Sequence, residues 1–220
     1  SGNAGWLVDH QAINGFILAN RLLKAGQAVS WRKDETRLGR QALVPGALWI
    51  PATNQSRAIL ETAVKELGLN AVAVERAPSG EDIDLKPVRI GLVDRYGGSM
   101  ASGWTRWLLE QFEYPFEVVY PQQLDAGDLN ARFDVLLFAA DMVPQNLAAS
   151  AQRGQPAAAD IPAEYRDRLG YITTEKTLPQ IDAFVRGGGS VVTIGPAPRL
   201  AAALGAPVTD VLTTGGETQR

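Results

Sequence analysis

The 220-residue chain carries 21 Lys and Arg against 24 Asp and Glu, giving a net charge of −3 and a pI near 5.3. This acidic balance argues against nucleic acid as a partner. The absence of cysteine excludes disulfides, thiolate metal sites and cysteine nucleophiles, and a single histidine, His10, excludes a zinc site with the usual histidine ligands. No membrane span is predicted, because no apolar run approaches about eighteen residues. The N-terminal SGNAGWLVDH also lacks the features of a signal peptide.

Residues 1–86 alternate between short apolar runs and helical patterns, which predicts a small α/β lobe. Helices are predicted around Phe16 to Leu22 and around Ile59 to Leu67, and strands at GWLVDH, QAVSW, GALWIP and AVAVER. His10 follows the first strand and is predicted to be a strand-end or capping residue and not a catalytic base. The stretch APSGEDIDLKP is rich in Pro, Gly and acidic residues and predicts the domain boundary.

Residues 87–220 show a longer alternation of strands and amphipathic helices. The predicted strands are VRIGLVD, FEVVY, FDVLLFAA and SVVTIG. One helix carries Trp104, Trp107, Leu108 and Phe112 at helical spacing, which predicts that these side chains face the core. The alternation predicts an α/β fold with a flavodoxin-like, doubly wound parallel sheet, in which the strand at 190–195 is interior.

The connection at 141–174 is long for a compact domain and is rich in Ala, Gln and Pro. Long connections are often lids or binding loops. Because this one leaves the carboxyl end of a central strand, it is expected to lie over any crevice there. The alternative is a mobile surface insertion without a role in ligand binding.

The stretch VDRYGGSMASGWTRW, residues 93–107, joins a strand to a helix through Gly and Ser. From Gly98 it reads G-x-x-x-x-G-W-T, and Trp104 stands where a phosphate loop has its lysine. A nucleotide triphosphate site is therefore not expected, although free backbone N–H groups could still accept an anion. The structural alternative places Gly97 or Gly98 at positive φ and makes Ser102 the N-cap of a helix beginning near Gly103.

Candidate ligand-binding residues lie at the predicted carboxyl ends of the strands, and they are Arg95, Ser99, Ser102 and Arg199. Arginine suits a carboxylate, such as the C-terminus of a peptide substrate, because its planar fork donates two parallel hydrogen bonds. The alternative is that Arg95 and Arg199 form ion pairs with Asp94, Asp141 or Glu110 and stabilise loops. A hydrolase using Ser99 or Ser102 would need His10 or a lysine as its base, which makes it the weaker enzyme hypothesis.

The segment TIGPAPRLAAALG, a strand followed by a sharp turn and a small-residue helix, is similar to the nucleophile elbow of class I glutamine amidotransferases. The resemblance places Gly195 at the position of the cysteine nucleophile and puts Thr193 and Ala197 at the flanking glycines. Pro196 and Pro198 enter the turn. Glycine has no side chain with which to attack an amide, so the resemblance implies a scaffold without glutaminase machinery and without catalytic residues.

A more extensive resemblance covers most of the chain. Several motifs, in order, look like the C-terminal region of bacterial proteins whose N-terminal part is a zinc carboxypeptidase A-like domain: NRLLKAG, GALWIPA, IGLVDRYGGSMASGWTRWLLEQFEYPFEVVYPQQLDAG, IPAEYRDRLGYIT and FVRGGGSVVTIG. The resemblance implies that residues 87–220 form an amidotransferase-like domain, incomplete at its C-terminus, appended to a metallopeptidase. The His-x-x-Glu zinc motif of the peptidase has no counterpart here. Zinc is therefore expected only in an upstream peptidase domain, with no metal site or cofactor in this chain.

Two functions follow from these features. The first is a non-catalytic accessory domain whose intramolecular partner is the peptidase domain, in a protein that the resemblance places in the periplasm or outside the cell. The second is a domain that binds a small molecule or a peptide carboxylate in the crevice at the carboxyl ends of the strands.

Overall fold

The computed structural model describes residues 3–38, 41–151, 154–195, 199–208, 213–214 and 217–218. The chain divides into two compact units. The first comprises Ser1–Pro87 and Leu109–Tyr114, and the second comprises Val88–Leu108 and Pro115–Arg220. None of the described helices has both the length and the apolar character that a bilayer crossing requires.

The first unit contains an antiparallel sheet of five strands in the order β6-β1-β5-β2-β7. The strands and helices predicted from residues 1–86 are present, and a β3–β4 hairpin and β7 are found in addition. The elements are β1 (Gly5–Val8), α1 (Gly15–Lys24), β2 (Ser30–Arg32), β3 (Thr36–Leu38), β4 (Gln41–Leu43), β5 (Leu48–Pro51), α2 (Asn54–Leu67), β6 (Ala71–Val74) and β7 (Asp82–Asp84).

The core of the first unit lies between the sheet and the two helices. Leu18 and Leu22 of α1 and Leu60 of α2 are buried there with Trp6 and Ile50 of the sheet. These positions recur at helical spacing along α1 and α2, so each helix turns one apolar face to the strands.

A capping box starts α2. The Ser56 N–H donates to Thr53 Oγ1 at 2.9 Å, and the Thr53 N–H donates back to Ser56 Oγ at 2.8 Å. This exchange satisfies two backbone donors that the first turn of a helix leaves without partners. The helix ends at Gly68, which adopts the left-handed conformation with φ 67°.

Strand β7 lies inside APSGEDIDLKP, the stretch that predicts the domain boundary, where no strand was predicted. Asp82 pairs with Arg32 and Asp84 pairs with Ser30 in the ladder between β7 and β2. The Arg32 side chain, which is 1% exposed, forms an ion pair with Asp82. A short acidic strand of this kind is stabilised by its contacts with β2, and its own residues do not favour a strand.

The second unit alternates strands with helices. Its elements are β8 (Ile90–Val93), α3 (Met100–Gln111), β9 (Phe116–Val119), α4 (Pro121–Asp125), α5 (Leu129–Arg132), β10 (Val135–Phe138), α6 (Thr177–Arg186), β11 (Ser190–Thr193), α7 (Arg199–Ala203) and a short hairpin of β12 (Thr213–Thr214) and β13 (Glu217–Thr218). The last three residues of α3 group with the first unit.

Four strands form a parallel sheet in the order β11-β10-β8-β9, which confirms the prediction of an α/β fold with a parallel sheet. Strand β10 is interior, as its apolar run predicts, and Leu136 and Phe138 are fully buried. The prediction that the strand at 190–195 is interior was wrong for the described sheet, in which β11 is an edge strand. Val192 and Ile194 are 44% and 45% exposed. The apolar run at 190–195 therefore did not indicate that a strand lies on each side of β11.

The prediction that Trp104 and Trp107 face the core was also wrong, because these side chains are 60% and 48% exposed. The side of α3 turned inward carries small residues, among them Ala101, which packs on the core, and Ser102, which is 2% exposed. Helical spacing identifies an apolar face of a helix, but it does not determine which face packs on the core.

The long connection at 141–174 is anchored in the core and is not a loosely attached insertion. Met142, Val143 and Ile172 are buried in the core of the second unit. Gln155 and Gly170 exchange two hydrogen bonds of 2.7 Å that tie the two ends of the middle section together. The described part of the connection contains three 3₁₀ helices, at Ala149–Ala151, Ala158–Asp160 and Ala163–Arg168.

An ion pair at the start of the parallel sheet gives a prediction for pH dependence. Arg89 donates to both carboxylate oxygens of Asp134, from Nε at 3.1 Å and from Nη2 at 2.6 Å, and its N–H donates to Oδ2 at 2.9 Å. The side-chain hydrogen bonds from Arg89, followed by the backbone one, lower the pKa of Asp134 from 3.8 to about 2. A carboxyl group with a depressed pKa stabilises the fold above its unfolded pKa, and that stabilisation is lost as the pH falls through its folded pKa.

We therefore expect Asp134→Asn to lose part of the change in unfolding free energy that wild type shows between about pH 5 and about pH 2. The change is small, because the side chain is 44% exposed and water screens the pair. Urea unfolding at the two pH values measures it. Asp182→Asn, which breaks an exposed pair with Arg186 on α6, is the control. An unaltered pH dependence in Asp134→Asn would contradict the assignment.

Candidate functional site

The candidate residues follow the carboxyl ends of three parallel strands of the second unit. Arg95, Ser99 and Ser102 follow β8, Asp141 follows β10, and Gly195 and Arg199 follow β11. Since β8, β10 and β11 are adjacent and parallel, these segments share one edge of the sheet. In open α/β sheets, that edge is where ligands bind.

The loop after β8 turns sharply at its two glycines. Gly97 has φ 84° and Gly98 has φ 67°, which confirms that the glycines allow a backbone conformation that other residues rarely adopt. The Gly98 N–H donates to the carbonyl of Arg95 at 2.8 Å. The glycines are thus explained by the turn itself.

The helix that follows begins earlier than predicted, and Ser102 is not its N-cap. α3 starts at Met100, and Ser99 has the capping role, because its Oγ accepts from the Ser102 N–H at 3.0 Å. The carbonyl of Ser99 accepts from the Gly103 N–H at 3.0 Å and from Ser102 Oγ at 3.3 Å. Several donors that could have held an anion are therefore used within the loop.

Arg95 forms an ion pair across this edge of the sheet. Its Nη2 lies 3.3 Å from Asp141 Oδ2, and its Nε donates to the carbonyl of Gly98 at 3.3 Å. The pair joins the loop after β8 to the start of the long connection after β10. This is the loop-stabilising alternative proposed for Arg95, and it leaves fewer free donors on Arg95 for a ligand carboxylate.

Gly195 and Arg199 lie after β11, on either side of residues outside the described part of the chain. Gly195 has φ 66°, and a Cβ built there would lie 2.9 Å from the Cβ of Ala140 at the end of β10. Arg199 is the first residue of α7 and is partly buried. The rest of the predicted elbow, Pro196, Ala197 and Pro198, falls outside the described residues.

Within the described ranges, no group of three or more His, Cys, Asp or Glu side chains is arranged to hold a metal ion. Comparison with protein-family models, with curated proteins and with solved structures finds no match.

His10 lies in the turn after β1, in the first unit, as predicted for a strand-end residue. Its ring packs on Gly46, where a Cβ would be 3.1 Å from His10 Nδ1. Nδ1 is 3.8 Å from Asp9 Oδ1 and, among the described residues, has no hydrogen-bond partner. Ser99 and Ser102 hydrogen-bond with each other within their own loop.

A surface cavity of about 580 Å³ in the first unit was not predicted from the sequence. It is lined by Arg21, Lys24 and Glu113 together with residues of α2. Arg21 donates to Glu113 at 2.8 Å and to Glu66 at 2.7 Å, and these hydrogen bonds raise its pKa. Because both acidic residues neutralise Arg21, the cavity offers little net charge to an anion. No signal links residues 21 and 113 in the sequence.

Proposed function

We propose that this chain is a non-catalytic accessory domain of a zinc carboxypeptidase-like protein, built on an amidotransferase-like scaffold that lacks glutaminase machinery. The observation that carries the proposal is Gly195. It follows the end of a parallel strand with φ 66°, and the resemblance to a nucleophile elbow puts the reactive side chain at this position. Glycine supplies no nucleophile there.

The space around Gly195 supports this reading. A Cβ at this position would come within 2.9 Å of Ala140 Cβ. Ala140, which follows β10, therefore leaves little room for a side chain at residue 195. A glutaminase site would need room at this point for a thiol and for the amide substrate.

The strand order supports the scaffold. Numbered along the second unit alone, β9-β8-β10-β11 is the order 2-1-3-4, which matches the first four strands of the flavodoxin-like arrangement. This likeness concerns the fold, and function does not follow from a fold alone. The peptidase partner, its zinc and an extracytoplasmic location rest on the sequence motifs.

The gene provides the first test. Reading the codons upstream of Ser1 is expected to show an open frame that continues into a domain with a His-x-x-Glu pair and a distant second His. The domain so found, expressed separately, is expected to bind this chain in a titration followed by calorimetry. A start codon directly upstream, or an upstream domain of another class, would contradict the proposal.

A further inference from the structure

The outward side of α3 carries an apolar surface that we call the α3 stripe, consisting of Met100, Trp104, Trp107 and Leu108. These side chains are 81%, 60%, 48% and 49% exposed. Residues spaced three and four apart lie on one side of a helix, so the four form a continuous stripe. An apolar patch of this kind on a soluble protein marks an interaction surface.

The orientation of α3 is the reverse of that in an ordinary surface helix, which turns its large apolar residues to the core. Here Ala101 packs on the core, and the buried Ser102 lies on the same inward side. The Thr105 hydroxyl donates to the carbonyl of Ala101 at 2.8 Å, which satisfies it within the helix. The large apolar side chains of the stripe therefore lie away from the side of α3 that packs on the core.

The two tryptophans are already ordered against each other. Their ring centroids are 5.7 Å apart and their planes meet at 88°, an edge-to-face contact. Such pairs are favourable in themselves and restrict the rotamers of both rings. A stripe that is rigid before binding loses less side-chain entropy when a partner covers it.

We propose that the α3 stripe is the contact surface of a homodimer, in which the α3 helices of two copies pack antiparallel about a two-fold axis. A two-fold axis passing between Trp104 and Trp107 places Trp104 of each copy beside Trp107 of the other, so the surface is self-complementary. The 100, 104, 107 spacing is that of a helix–helix seam. The stripe contains no charged residue, and the exposed Glu110, three residues after Trp107, lies beside it on the helix.

The exposed area matches what a weak dimer requires. With about 150–250 Å² available on a large aromatic side chain, the exposed fractions of the four residues amount to on the order of 500 Å² per copy. Two copies would bury about 1,000 Å², which is near the lower limit for a specific interface. The dimer is therefore expected to dissociate on dilution, with a dissociation constant in the micromolar range.

Sedimentation equilibrium of the chain over a range of concentrations tests this. The weight-average mass is expected to rise from 23.6 kDa towards twice that value. Trp104→Glu is expected to weaken the association about 100-fold, because it places a charge at the centre of the interface. The matched control is Ile13→Glu, which changes an apolar residue that is 62% exposed in the first unit and should leave the association unchanged.

Circular dichroism of each variant checks folding, and Trp107→Glu provides a second variant should Trp104→Glu alter the spectrum. The proposal is overturned if wild type stays monomeric at the highest concentration, in which case the stripe serves a different occupant. It is also overturned if wild type dimerises but both tryptophan variants associate as wild type does. Equal weakening by Ile13→Glu would likewise count against it.

Discussion

Asp82→Ala is expected to destabilise the chain by about 3–5 kcal/mol, because it leaves a buried guanidinium without its counter-ion. Arg32 is 1% exposed and forms its ion pair with Asp82, while its Nε donates to Thr36 Oγ1 at 3.2 Å. It also donates to the carbonyl of Ser79. These neutral acceptors do not replace the lost carboxylate, and β7 loses the ion pair that adds to its backbone ladder with β2.

Chemical unfolding followed by tryptophan fluorescence measures the effect, since Trp31 neighbours Arg32 on β2. Glu81→Ala is the matched control: it removes the adjacent carboxylate, whose partner Lys33 lies 3.0 Å away in a pair that is 77% and 49% exposed. An exposed pair of this kind contributes less than about 1 kcal/mol. If Asp82→Ala proves as mild as Glu81→Ala, the buried pair does not stabilise the first unit as described.

Phe184→Ala is expected to cost about 3–5 kcal/mol, through a cavity in the core of the second unit. The side chain is 1% exposed and lies among the residues that fill the space between α6 and the sheet. Gly189 presses on its ring, since a Cβ at 189 would fall well inside van der Waals contact with three ring atoms. Gly189→Ala alone is therefore expected to cost about 1–3 kcal/mol by overpacking.

The double variant is the sharper test. With the Phe184 ring removed, the methyl group of Gly189→Ala can enter the cavity. The double variant should therefore lose less unfolding free energy than the two single variants lose in total. The four proteins of the cycle are compared by urea unfolding, with the 43% exposed Val185→Ala as a nearby control expected to change stability by less than about 0.5 kcal/mol. Additive costs would show that Gly189 does not contact Phe184 in solution.

The sequence predicted the elements whose own residues determine their form. The apolar runs predicted β8, β10 and β11, and the periodic apolar positions predicted α1 and α2. The alternation of strands and helices predicted the parallel sheet. The positive φ at Gly97 and Gly98 was predictable because no other residue tolerates it as well.

The features that depend on tertiary partners were not predictable. β7 forms because it pairs with β2, where Asp82 lies opposite Arg32, a residue fifty positions earlier in the chain. The outward direction of Trp104 and Trp107 depends on which side of α3 packs on the core, and that is the side with Ala101 and Ser102.

The candidate site shows the same division between local and tertiary signals. The cap at α3 was misplaced by three residues, because Ser99 and Ser102 are both suitable caps and only the start of the helix distinguishes them. The Arg95–Asp141 pair was one of several alternatives, and it took the adjacency of β8 and β10 to select it.

Measuring activity on the purified chain tests the proposal that it is an accessory domain without chemistry of its own. Ammonia release from glutamine and the release of C-terminal residues from peptides are followed with and without added Zn²⁺, and bound zinc is measured after dialysis. If the proposal holds, ammonia release and the release of C-terminal residues both stay at the rate of the blank, and less than one zinc is bound per chain. Glutamine hydrolysis, carboxypeptidase activity or one bound zinc per chain would contradict it.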